Sequence, residues 1–172
     1  MIEDFLSNWN SLYKTHKASI VEGCAKVHEY DDGAHFTDLD IIVGKAITFP
    51  SRKFDSFSLF DAISNKNCDG AFLIEREEDV FDLVLVELKS NFDTERLYEA
   101  KEQIISSLQK INVLLSVLKD YPNMSIRKSY GFIVSLSPTD EKLNWIKGKS
   151  MLPRSQWGNC TCGLTLYFDK HM

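Results

Sequence analysis

The chain has 172 residues, of which 44% are hydrophobic and 26% charged, a globular composition long enough for one well-buried core. Its net charge of −5 argues against nonspecific coating of nucleic acid. No apolar run reaches membrane-spanning length. The charge is uneven: residues 1–96 carry 10 basic and 19 acidic side chains, and residues 97–172 carry 10 basic and 6 acidic. The acidic part leaves room for a carboxylate cluster offset by a cation, and the basic part for a local phosphate-binding surface. The N-terminus has no basic stretch followed by an apolar one, so a cytoplasmic protein with reduced thiols is expected. Cys160 and Cys162 have no second pair to complete a zinc site, and they read as small, half-buried strand residues.

Residues 2–29 are predicted to form a long helix, because Phe5, Trp9, Leu12 and Tyr13, and later Ile20, Cys24 and Val27, recur at helical spacing. A turn-rich segment, 30–38, follows. Residues 40–49 offer short apolar runs around Gly44, ended by Pro50. Residues 54–63 fit a strand or a short helix. After the loop SNKNCDG, strands are predicted at 70–77 and 81–90, with a charged tip at Glu77-Glu78-Asp79. A helix from about Thr94 to Lys119 follows, its apolar stripe running from Leu97 through Ile104, Leu108, Ile111 and Leu115 to Leu118. Strands at 130–138 and 163–169 bracket a short amphipathic helix near Glu141–Lys147. There is no repeat or linker, so residues 1–172 read as a single α/β domain with a mixed sheet.

The stretch VLVELKS, Val84–Ser90, carries two charges at the end of an apolar strand. If the strands at 70–76 and 80–88 pair around Glu78, partners sum to about 156, and Glu87 falls opposite Asp69. Side chains alternate along a strand, so Glu87 and Lys89 share a face, and Asp69 joins them there. Opposed carboxylates repel unless a cation lies between them. Oxygen ligands of this kind suit magnesium, and Lys89 could hold or deprotonate a water nearby. The plain alternative is a strand leaving the core with an ion pair at its end. The string Asp/Glu-x-Lys also occurs at Glu99 and Asp140, but there it lies on a helix and in a polar segment.

Asp69, a strand–turn–strand, Glu87-Leu88-Lys89, a long helix and another strand together resemble the PD-(D/E)XK nuclease superfamily, with its restriction-endonuclease-like α-β-β-β-α-β core. The resemblance implies that Asp69, Glu87 and the Leu88 carbonyl bind Mg2+ or Mn2+. It implies that Lys89 orients the attacking water during phosphodiester hydrolysis. Many members add a carboxylate from the first helix, for which Glu22 is the candidate and Glu29 the runner-up. Cys68 replaces the motif's proline. Gln103 matches a glutamine of exonuclease-like branches, although Ser107 stands where those have tyrosine. The implied function is a magnesium-dependent nuclease, most readily of DNA, in restriction, defence or repair, acting alone, as a homodimer or with a partner subunit. A nuclease-like domain that binds nucleic acid or protein without cleaving it is the alternative.

A nucleic-acid surface is expected from Arg127, Lys128, Lys147, Lys149 and Arg154, interleaved with Trp145 and Trp157. A solvated basic face is the competing reading. No Gly-rich phosphate loop and no DNA-reading module appear.

Overall fold

A computed structural model describes residues 2–29, 38–56, 65–90, 94–118, 124–135 and 164–169. The order is α1 (Ile2–Leu12), β1 (Ser19–His28), β2 (Asp38–Phe49), a 3-10 segment (Ser51–Ser56), β3 (Gly70–Glu77), β4 (Val80–Lys89), α2 (Thr94–Ser116), β5 (Ser125–Ser135) and β6 (Leu164–Asp169). The strands form one six-stranded sheet in the order β1-β2-β3-β4-β5-β6. Every neighbouring pair is antiparallel except β4 and β5, which are parallel and joined through α2. This is an α/β fold with a mixed sheet, as expected.

The long first helix is not formed. Its first three turns are α1, which buries Ile2, Phe5 and Trp9. Three interactions turn the chain after Leu12. Trp9 Nε1 donates to the His16 carbonyl at 2.8 Å, and Asn10 grips Ala18 through its amide at 2.8 Å and its carbonyl at 3.1 Å. The rest of the expected helix is β1, in which Ala25 and Val27 are buried while Glu22, Cys24 and Lys26 are exposed. The apparent helical spacing of Ile20, Cys24 and Val27 mixes both faces of a strand, and cross-strand pairing overrode it.

Gly44 is the extra residue of a bulge: Glu22 pairs Lys45 and Gly23 pairs Val43, so Gly44 is skipped. Before it, Leu39, Ile41 and Val43 lie in one core, and after it Ala46 stays there while Ile47 and Phe49 enter the other. The split apolar runs around Gly44 are thus one strand with a change of phase. Gly23 has φ 78°, a conformation open to glycine at no cost.

Two cores lie on the two faces of the sheet. The first joins α1 and α2 to Ile47, Phe49, Ala71, Leu73, Phe81, Leu83, Leu85 and Ile133. Its centre is Trp9, wholly buried, with the rings of Tyr13 and Phe49 each 4.6 Å away. The Tyr13 hydroxyl donates to the Leu114 carbonyl of α2 at 2.7 Å, tying the helices together on this face. The second core takes Ala25, Val27, Phe72, Ile74, Val84, Val86 and Leu88, with Phe132 and Val134. Among the described residues, no helix is long and apolar enough to cross a membrane.

Several expectations lie outside the described residues: the small helix near 141–147, and Lys147, Lys149, Arg154, Trp145, Trp157, Cys160 and Cys162.

Candidate metal centre

The β3–β4 hairpin has the anticipated register. Gly70 pairs Val86, Ala71 pairs Leu85 and Glu75 pairs Phe81, each summing to 156, with an irregularity only at the tip, where Asp79 has φ 63°. Asp69 and Glu87 therefore meet at the open end. Asp69 Oδ2 accepts the Leu88 amide hydrogen at 2.8 Å, extending the ladder by one side-chain rung. In an extended strand a residue's N–H and C=O point to the same edge, so the Leu88 carbonyl also faces the Asp69 side.

Glu29, Asp69 and Glu87 are all buried and offer one oxygen each within 4.8 Å of one another. The third carboxylate is thus Glu29, which follows β1, and not Glu22. Glu22 is exposed in the middle of β1, opposite Lys45. Gly70 explains how Glu29 arrives. A Cβ there would stand 2.8 Å from Val27 Cγ2 and 2.9 Å from Phe72 Cε2, so the Val27 side chain of β1 packs closely against the Gly70 backbone at this point. The glycine beside Asp69 was the signal for this close approach.

Two cations serve the cluster. Lys89 Nζ lies 2.7 Å from Glu87 Oε1, with its side chain 11% exposed. The contact is a close ion pair on Oε1, and among the described residues Glu87 Oε2 has no hydrogen-bond partner. Arg52, from the 3-10 segment, donates through Nη2 to both Glu29 Oε1 and Asp69 Oδ1, and through Nε to Asp69 Oδ1 at 3.1 Å. Sequence reading missed Arg52, which carries no motif and reaches the site only because β2 and the segment after it pack beside Cys68.

Burial dominates the electrostatics. It pushes the Asp69 carboxyl up to about 6, against the hydrogen bonds of Arg52 and the Leu88 amide. Glu87 rises well above the ordinary carboxylate range, first through burial and then through the charge of Asp69, with Lys89 pulling the other way. Burial also pushes the Cys68 thiol up to about 12, so it is an inert packing group beside the site.

Gln103 does not enter the carboxylate cluster. Together with Ser107 and Lys110 it forms a clamp on the loop before Asp69. Gln103 Nε2 donates to the Asn67 carbonyl at 3.3 Å, and the Cys68 amide donates to Ser107 Oγ at 2.8 Å. Lys110 Nζ, wholly buried, donates to Asn67 Oδ1 at 2.7 Å. These residues sit three and four apart, on one face of α2. Ser107 thus has a structural use where the exonuclease-like pattern would have tyrosine.

Among the described residues, the expected basic side chains are not gathered at this site. Arg127 and Lys128 are exposed near the start of β5, and Arg127 forks onto Asp82 at 3.0 and 2.7 Å. Asp82 is five residues from Glu87, about 16 Å along the strand at 3.3 Å per residue. Burial would raise the Asp82 carboxyl, but Arg127 and Arg76 outweigh it and hold it below the ordinary range. Comparisons with protein-family models, curated proteins and solved structures returned no match, so the reading of this site stands on its own residues.

Proposed function

We propose that the protein is a magnesium- or manganese-dependent nuclease that hydrolyses phosphodiester bonds, most readily in DNA. One observation carries the reading: Glu87 is wholly buried, its Oε1 is met by Lys89 Nζ at 2.7 Å and its Oε2 has no hydrogen-bond partner among the described residues, while oxygens of Glu29 and Asp69 lie within 4.8 Å of one of its own. A buried carboxylate with an oxygen left unpartnered is expensive, and a hard divalent cation is the ligand that oxygen donors of this number and kind fit. The order α1, β2, β3, β4, α2, β5 also contains the α-β-β-β-α-β succession of PD-(D/E)XK nucleases, with β1 and β6 added.

Glu29, Asp69 and Glu87 would hold the cation, with the Leu88 carbonyl on the same side. When bound, the cation supplies positive charge against the reacting phosphate. Lys89 is positioned by Glu87 at 2.7 Å and would orient a water for in-line attack, then stabilise the negative charge that develops on phosphorus-bound oxygens. The rigid β4 strand fixes both side chains, because Val84 and Val86 anchor it on one face and Leu83 and Leu85 on the other. A soluble reaction in restriction, defence or repair suits such a site, with a homodimer or a partner subunit as ways to reach both strands of a duplex.

The test is incubation with plasmid and single-stranded DNA in magnesium, manganese or chelator, comparing wild type with Asp69→Ala and Lys89→Ala. Cation-dependent cleavage that both substitutions abolish is the expected result. Cleavage surviving both would reject the site, and DNA binding without cleavage in either metal would favour a non-catalytic nuclease-like domain.

A further inference from the structure

Arg52 occupies the cluster in a way that bears on how a cation enters it. We propose that the Arg52 guanidinium and a divalent cation are alternative occupants of the Glu29–Asp69–Glu87 cluster, Arg52 holding it in the cation-free protein and withdrawing as the cation binds. The inference rests on the metal reading above and adds a built-in competitor to it.

Arg52 Nη2 bridges Glu29 Oε1 and Asp69 Oδ1, so it stands where a cation shared by these two residues would stand. Asp69 Oδ1 also receives Nε at 3.1 Å, which fills both lone-pair positions of that oxygen. Asp69 Oδ2 is meanwhile an acceptor for the Leu88 amide. A cation therefore cannot take Oδ1 without displacing the guanidinium, and two positive charges that close would repel.

The backbone under Arg52 is fixed, so the change falls on the side chain. Ser51 Oγ donates to the Cys68 carbonyl at 2.9 Å, the Lys53 carbonyl accepts His16 Nε2 at 2.9 Å, and Phe54 is wholly buried. The Arg52 side chain is 30% exposed, against 6% for Glu29 and none for Asp69, so it has a route to solvent that its partners lack. Its planar fork suits a phosphate as well as it suits carboxylates, which gives the released group a partner when substrate arrives.

The decisive measurement is manganese affinity by titration calorimetry or by the spin-resonance signal of free manganese, without DNA. Wild type, Arg52→Gln, Arg52→Lys and Glu87→Gln are compared. Arg52→Gln should bind manganese about tenfold tighter or more, roughly the worth of one charge-assisted hydrogen bond that no longer has to be broken. Arg52→Lys, which can hold only part of the fork, should fall between, and it serves alone if the glutamine variant does not fold. Glu87→Gln should abolish binding. In wild type, the Arg52 Nε–H resonance, identified by its absence from the variants, should move and exchange faster with solvent on addition of magnesium. Glu87-dependent binding that neither Arg52 variant tightens, or an Nε–H signal that magnesium leaves unmoved, would overturn the competition and leave the metal site standing. Absence of Glu87-dependent binding in every protein would overturn both.

Discussion

Asp69 yields a pH dependence of opposite sign to that of a normal salt-bridged carboxylate. Burial carries its carboxyl from 3.8 to about 6 in the folded protein. A carboxyl raised on folding contributes stability that is complete below its unfolded value and lost as pH rises through its folded value. The window here runs from 3.8 to about 6. At about 1.4 kcal/mol per pH unit, ionised Asp69 costs the cation-free fold about 3 kcal/mol above that window. A typical domain has only about 5–15 kcal/mol in total. Asp69→Asn keeps the shape and an acceptor for the Leu88 amide but cannot ionise. Urea unfolding of both proteins in chelator should show the variant gaining about 2.5 kcal/mol on wild type between about pH 4 and about pH 7.5. Magnesium at 100 times its dissociation constant should then return about 2.7 kcal/mol to wild type and nothing to the variant. A difference that stays flat with pH, or turns toward wild type at the higher pH, would mean that Arg52 outweighs burial, and the reasoning would fail.

Gly70→Ala should lower stability by about 1–3 kcal/mol, the usual cost of overpacking, because its new methyl group would press on Val27 and Phe72. The same shift should weaken manganese binding by pushing Glu29 away from Asp69, which calorimetry would register. Asp82→Asn should cost about 1–3 kcal/mol at neutral pH through the lost charge-assisted bonds to Arg76 and Arg127. Since the Asp82 carboxyl is held below its ordinary range, that contribution is present above the unfolded value and disappears as pH falls through the folded one. Wild type and variant should therefore converge in acid denaturation curves.

The hairpin was legible because strand periodicity and a short charged tip fix its register, and the register alone brings Asp69 opposite Glu87. The apolar stripe of α2 was legible for the same kind of reason. The third carboxylate was assigned to the wrong element because β1 was. Ala25 and Val27 are its fully buried positions, too few to display alternation against exposed Glu22 and Cys24, while Ile20 and Val21 face opposite cores. Arg52 was illegible in principle: its role comes from a tertiary meeting of a 3-10 segment with two strand ends. Arg127 looked like a phosphate ligand by charge, yet its fork is matched to a buried aspartate that sequence alone cannot pair with it.

The clamp of α2 on Asn67 and Cys68 also ties the segment before Asp69 to a distant part of the chain. Its bonds join residues 36 to 43 apart in the chain, so docking of the helix is a long-range constraint on this segment beside the local one of the hairpin register. The Cys68 amide, held by a serine hydroxyl rather than by a neighbouring strand, is the natural hydrogen-exchange reporter of that event. Its exchange, compared with that of the Val86 amide within β4, distinguishes transient loosening of the helix from unfolding of the sheet.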